Sequence, residues 1–249
     1  MNKEELNKIL DDHKLWVDSK GEKGKQALLE GADLEGADLE GAILSDANME
    51  RANLEGANLI DAILEGANLT GANLTSANLH EAYLTGANLT GAKLTGANLT
   101  GADLVGADLV EAELKSAIMC NALMTRANLK GTIMKEANLK GANLNNATLE
   151  GANLEEAYLI EASLIEANLI EAYLKGAYLE GANLTGANLK GAYLKLSHMF
   201  ETNLEVAKFT AEIRNARYLS YCSITKDQLP WLALHPDFSE FYPTLKVSE

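Results

Sequence analysis

The run Ala67-Asn68-Leu69-Thr70-Gly71-Ala72-Asn73-Leu74-Thr75-Ser76-Ala77-Asn78-Leu79 repeats one five-residue unit, A-(N/D)-L-x-(G/E). Outward from it the register holds: every fifth residue from Leu29 to Leu204 is Leu or Met, and Phe209 continues the series. Two places before each stands Ala, from Ala27 to Ala207, with only Thr132, Ser197 and Thr202 departing. A helix does not explain this period. Five residues advance about 500°, so successive Leu side chains step about 140° around the axis and leave no apolar stripe. One long strand fails as well, because an odd period sends alternate Leu to opposite faces. The pattern fits a three-residue extended piece, Ala and Leu inward and the residue between them outward, followed by a two-residue corner. Gly recurs at the second corner position, where a positive φ costs it nothing. Equal units turning through equal angles make a coil, and stacked coils pair their backbones as strands do. The number of units per turn stays open on the residues alone. Ile43, Ile63 and Tyr83 recur at twenty, whereas Tyr158, Tyr173, Tyr178 and Tyr193 fit fifteen and twenty alike.

From about Ala27 to Phe209 the chain resembles the pentapeptide repeat family. The resemblance implies an all-β fold: a right-handed quadrilateral parallel β-helix with four units, or 20 residues, per turn. On that count residues 29–209 make about nine coils, a rod of roughly 43 Å. Ala211-Glu212-Ile213 follows Phe209 after four residues instead of five, so the register slips near 210–213.

A solenoid exposes its core and unpaired strand edges at both ends unless they are capped. Leu6, Ile9, Leu10, His13, Trp16 and Val17 fall at helical spacings, and Asn2 with Glu5 forms a capping-box pattern. Residues 1–26 therefore read as a capping helix and linker, 27–224 as the solenoid, and 225–249 as a short helical or irregular C-terminal cap or tail. Thr225 and Gln228 repeat the capping-box pattern, and Pro230 keeps any helix there short. Trp231, Phe238, Phe241 and Tyr242 concentrate aromatic surface near the end, for the cap itself or for a homodimer contact of the kind the resemblance implies. The protein is expected as a monomer or a dimer joined through that end.

Composition narrows the function. The chain has 249 residues, a formal charge of −15 and a pI near 4.7, which opposes direct binding to nucleic acid. Residues 1–16 lack the apolar core of a signal peptide, and no run of about 18 apolar residues occurs, so a soluble, cytoplasmic protein away from membranes is expected. Cys120 and Cys222 lie far apart and define neither a disulfide framework nor a thiolate site. His13, His80, His198 and His235 show no ligand spacing, and the repeated Gly residues do not open a helix after a strand as a dinucleotide motif requires. No catalytic residue, cofactor or metal is expected.

The surface carries what information remains. Ten carboxylates lie between Leu28 and Glu65, among them Glu30, Asp33, Glu35, Asp38, Glu40, Glu50 and Glu55, against the single base Arg51. Charge runs of this kind are most often solvated faces. Lys115, Arg126, Lys130, Lys135 and Lys140 make a weakly basic band in the middle. A third feature is apolar: tyrosine ladders Tyr158–Tyr178 and Tyr173–Tyr193, with Ile160, Ile165 and Ile170 at corners of about one coil, form an interaction patch. These features together point to a non-enzymatic scaffold that binds an unknown protein partner. The alternative, carried by the resemblance to quinolone-resistance members of the family, is a DNA-mimicking inhibitor or protector of a type II topoisomerase, DNA gyrase. This chain departs from those members in lacking a loop insertion and in concentrating its acidity at the N-terminal coils.

Overall fold

The computed structural model describes residues 1–208, 216, 219, 222–228, 230 and 242–248. From Leu28↔Asn48 to Asn203↔Ser223, parallel bridges join residues twenty apart on all four sides of the rod, so four units close each turn. Both backbone groups of the outward residue are used: Asn48 donates its N–H to the Ala27 carbonyl at 2.9 Å, and its carbonyl accepts from Leu29 N–H at 2.6 Å. The corner after each Leu is closed by a hydrogen bond from the next Ala, as between Ala72 N–H and Leu69 O at 2.9 Å. Its second residue holds a positive φ whether it is Gly71 at 64° or Glu81 at 54°.

The outward Asn serves the corner too. Asn68 Oδ1 accepts from the N–H of Thr70 at 3.1 Å, and from the Thr70 hydroxyl at 2.7 Å. This local side-chain bond is why Asn and Asp favour such turns. Asn Nδ2 then donates one coil back, from Asn73 to Asn53 and from Asn53 to Asp33. Below the first coil no further coil among the described residues continues the column, and an acceptor-only carboxylate ends the ladder at Asp33 and at Asp38.

Inside, Ala and Leu or Met fill the cross-section coil after coil, from Ala47 to Leu204 at no more than about 1% exposure. The three departures from Ala keep their hydroxyls bonded: Thr132 to Leu129 O, Ser197 to Leu194 O and Thr202 to Leu179 O, each at 2.8 Å. A buried hydroxyl without such a partner is costly, so the backbone carbonyls make these substitutions tolerable.

Helix α1, Lys3–Asp18, is started by Asn2, whose Oδ1 accepts from Glu5 N–H at 2.8 Å, with Glu4 and Glu5 in the positive first turn. Leu6 joins the core and Ile9 and Leu10 pack against it. His13 is fully buried; its Nδ1 accepts from Ala27 N–H at 3.0 Å and its ring stacks on Trp16, centroids 5.6 Å apart. Gly24 is obligatory where the chain turns back: a Cβ there would stand 2.1 Å from the Asp12 carbonyl oxygen.

At the far end strand β1, Ser223–Thr225, pairs in parallel with β2, Lys246–Ser248. Thr225 N–H donates to Gln228 Oε1 at 2.8 Å, and Gln228 Nε2 donates to the carbonyls of Leu204 and Ala207 at 2.7 and 2.8 Å. The register slip expected near 210–213 lies outside the described residues.

Candidate interaction surfaces

Twenty-residue register fixes where the expected site residues of the repeat stand. Tyr173 and Tyr193 bridge on one face, Tyr158 and Tyr178 on the next, and His198 extends the second column. The Tyr158 and Tyr178 rings stack in parallel at 4.8 Å, and Tyr178 meets the His198 ring at 4.7 Å. Tyr158, Tyr173 and Tyr193 remain 43–52% exposed, although the stacked column alone supplies about 0.2–1 kcal/mol per pair. Between the two faces runs a corner bearing Lys175 and Lys195, both exposed. Glu180 Oε1 approaches His198 Nδ1 at 3.6 Å, which ties the foot of the column to the next corner.

The three isoleucines do not gather around these rings. Gly141, Asn146 and Gly151 donate to the carbonyls of Ile160, Ile165 and Ile170, which fixes each on a separate corner. Ile160 flanks the Tyr158 face and Ile170 the Tyr173 face, while Ile165 sits diagonally across the rod, beside Ser163. His198 has no ligand spacing to the other histidines, and its distance of twenty from Tyr178 is the signal in the sequence for its place in the column.

The acidic residues divide by role. Asp33 and Asp38 are outward face positions that end Asn ladders, whereas Glu30, Glu35, Glu40, Glu50 and Glu55 occupy corners. Asn58 Nδ2 reaches Glu40 Oε2, and Asn73 Nδ2 reaches Glu55 Oε2, each at 3.1 Å. In the basic band Lys130 pairs with Glu150 at 2.9 Å. Among the described residues no group of His, Cys, Asp or Glu is placed to hold a metal ion. No described helix is long and apolar enough to cross a membrane. Of the C-terminal aromatics, Tyr242 opens a 3-10 turn, Tyr242–Thr244, and Trp231, Phe238 and Phe241 lie outside the described residues.

Such a rod, four-sided, with its apolar side chains inside and its chemistry on convex faces, defines a β-solenoid repeat protein. The profile of pentapeptide repeats matches residues 25–59, 52–91, 87–126, 122–159 and 162–205, and the chain belongs to this family, whose fold is a right-handed β-helix. Among solved structures it is similar to HetL of the cyanobacterium Nostoc, a pentapeptide repeat protein involved in heterocyst differentiation regulation. Identity is 32% over 84% of this chain and 94% of HetL, with a TM-score of 0.63. It is also similar to full-length QnrB1, a plasmid-mediated fluoroquinolone resistance protein, at 17% identity over 84% of this chain and 97% of QnrB1, TM-score 0.39. A pentapeptide repeat protein of the Arabidopsis thaliana thylakoid lumen shares 27% identity over 43% of this chain and 68% of its own, TM-score 0.28. No match is found among curated protein sequences.

Proposed function

We propose that the protein is a non-enzymatic scaffold that binds another protein through the two tyrosine-bearing faces of its C-terminal coils. The observation that carries this reading is the exposure of Tyr158, Tyr173 and Tyr193 on two adjacent faces beside Lys175 and Lys195, where most other large apolar side chains among the described residues are inside. A central row of cations flanked by tyrosines favours a partner that offers carboxylates between two apolar strips. A regulatory role of this kind suits a fold shared with HetL, itself involved in regulation. The likeness to QnrB1 is one of fold alone and lends no weight to gyrase as the target. On the same reading α1 caps a solenoid of residues 27–224 with about nine coils, a C-terminal cap begins at 225, and the protein acts in the cytoplasm.

The test places a photo-crosslinking residue at position 173, and separately at Leu123 on another face, in cells that make the protein. A stoichiometric adduct from 173, absent from 123 and lost in Tyr158→Ser/Tyr193→Ser protein of unchanged circular dichroism, is expected. Identical adducts from both positions would sink the proposal.

A further inference from the structure

The two tyrosine columns share a spacing and differ in ring geometry. Tyr173 bridges Tyr193 and Tyr158 bridges Tyr178, each pair one coil apart. Of the two pairs it is Tyr158 and Tyr178 that stack, their rings 3° from parallel with centroids 4.8 Å apart. Their column is closed on both sides: Asn138 precedes Tyr158, and His198 follows Tyr178 with its ring tilted 37° at 4.7 Å. Tyr178 is thus sandwiched, and among the described residues Tyr158 is its one phenol neighbour in the column. Sulfur side chains, which oxidise more readily than phenol, stand clear of the pair. Met199 and Cys222 are buried, and Cys120 lies two coils before Ile160 on the same corner.

We propose that Tyr158 and Tyr178 form an oxidative coupling site, where hydrogen peroxide acting through a one-electron oxidant joins the two phenol rings by a carbon–carbon bond. Each phenol gives up one electron and its hydroxyl proton. The two phenoxyl radicals pair at carbons ortho to oxygen, and each ring regains aromaticity as the hydrogen on that carbon moves to its oxygen. Two hydrogens leave the protein in all, and the peroxide takes up the two electrons and two protons to become two molecules of water. Between free phenols this pairing is bimolecular; two rings held in one stack make it intramolecular. Tyr158, exposed at the surface, is the ring an oxidant meets first, and its side chain has room to turn toward its half-buried neighbour. The bond staples two successive coils. It spans twenty residues of chain, and it favours the folded rod by restricting the unfolded chain, as a disulfide does.

The experiment treats dilute purified protein with hydrogen peroxide and a haem peroxidase, then unfolds it and cuts after Lys and Arg. Tyr158 and Tyr173 then lie in fragment 141–175, Tyr178 in 176–190, Tyr193 in 191–195 and His198 in 196–208. The expected product stays monomeric in denaturant and yields 141–175 joined to 176–190, lighter by two hydrogens than the separate fragments together. Tyr158→Phe and Tyr178→Phe, which keep the rings and remove the hydroxyl, should each lose this species, whereas Tyr173→Phe should retain it. The more exposed Tyr173 and Tyr193 are the internal control. Were access by the oxidant decisive, 141–175 would join 191–195 in equal or larger amount, and that result overturns the inference. Links formed only between molecules, or a link from 176–190 to 196–208 in place of the phenol pair, overturn it equally.

Discussion

Asn121 Oδ1 lies 2.5 Å from the point that a Cβ would occupy on Gly141, one coil further on. Both residues hold a positive φ, 57° and 67°, at equivalent corners. A side chain in this conformation leans over the corner above it, and Gly leaves the room. The same relation joins Asp46 to Gly66 and Glu81 to Gly101. Gly91 has the same conformation with nothing within 4 Å of its absent Cβ. Gly91→Ala is therefore expected to cost about 1–2 kcal/mol for the left-handed backbone alone, and Gly141→Ala measurably more. Adding Asn121→Gly to Gly141→Ala should remove the excess in a double-mutant cycle read by urea unfolding.

The inward and outward assignments separate neighbouring residues. Leu99 is fully buried, so Leu99→Ala should cost about 2–5 kcal/mol. Asn98 donates to Asn78 Oδ1 at 3.0 Å and accepts from Thr100, all near the surface. Asn98→Ala should cost about 1 kcal/mol. Equal losses in denaturant melts would contradict the packing.

His13 should make the N-terminal end sensitive to acid. Burial lowers its pKa below the ordinary 6.5, with the Ser45 carbonyl and the Asp46 carboxylate pulling the other way. Nε2 makes no hydrogen bond of sound geometry, so Nδ1, the acceptor for Ala27, decides the tautomer. The folded state prefers the neutral ring. Its contribution is whole above pH 6.5 and is lost as the pH falls from there through the lower folded value. Trp16 emission, followed in Trp231→Phe protein, should shift over that window, and His13→Gln should abolish the shift.

Cys222 is buried, its Sγ 2.8 Å from Met199 O, and burial pushes its pKa to about 12. Burial therefore keeps Cys222 as the unreactive thiol at pH 8. A thiol reagent should label the half-buried Cys120 alone in the native protein, and both after denaturation.

Gln228 is 3% exposed and satisfies two backbone carbonyls of the last repeats. Gln228→Leu fills the space but strands both, at about 1–3 kcal/mol each. Faster amide exchange confined to residues near 204–207 and 222–228 would show the loss.

The repeat, the inward residues and helix α1 were all legible in the sequence, because Ala, Leu and the corner residues answer local constraints that recur at a fixed period. The number of units per turn was not, since the tyrosines permit fifteen as well as twenty; the bridge Tyr158↔Tyr178 decides it. The apolar patch was half legible. Its tyrosines align as expected, but the corner that each isoleucine occupies depends on the turn number, which is why Ile165 falls on the far side. Asp33 and Asp38 read as mere surface charge, because their role as ladder ends exists only once coils are stacked.

The twenty-residue closure turns arithmetic along the chain into azimuth around the rod. Removing one whole turn brings the tyrosine faces nearer the acidic end without changing the direction in which they look. Removing a single five-residue unit rotates everything beyond it by a quarter turn, so two features that shared a side no longer do. Length variants of such a rod are thus of two kinds, those that alter reach and those that alter bearing, and a partner that spans both ends would accept the first and refuse the second.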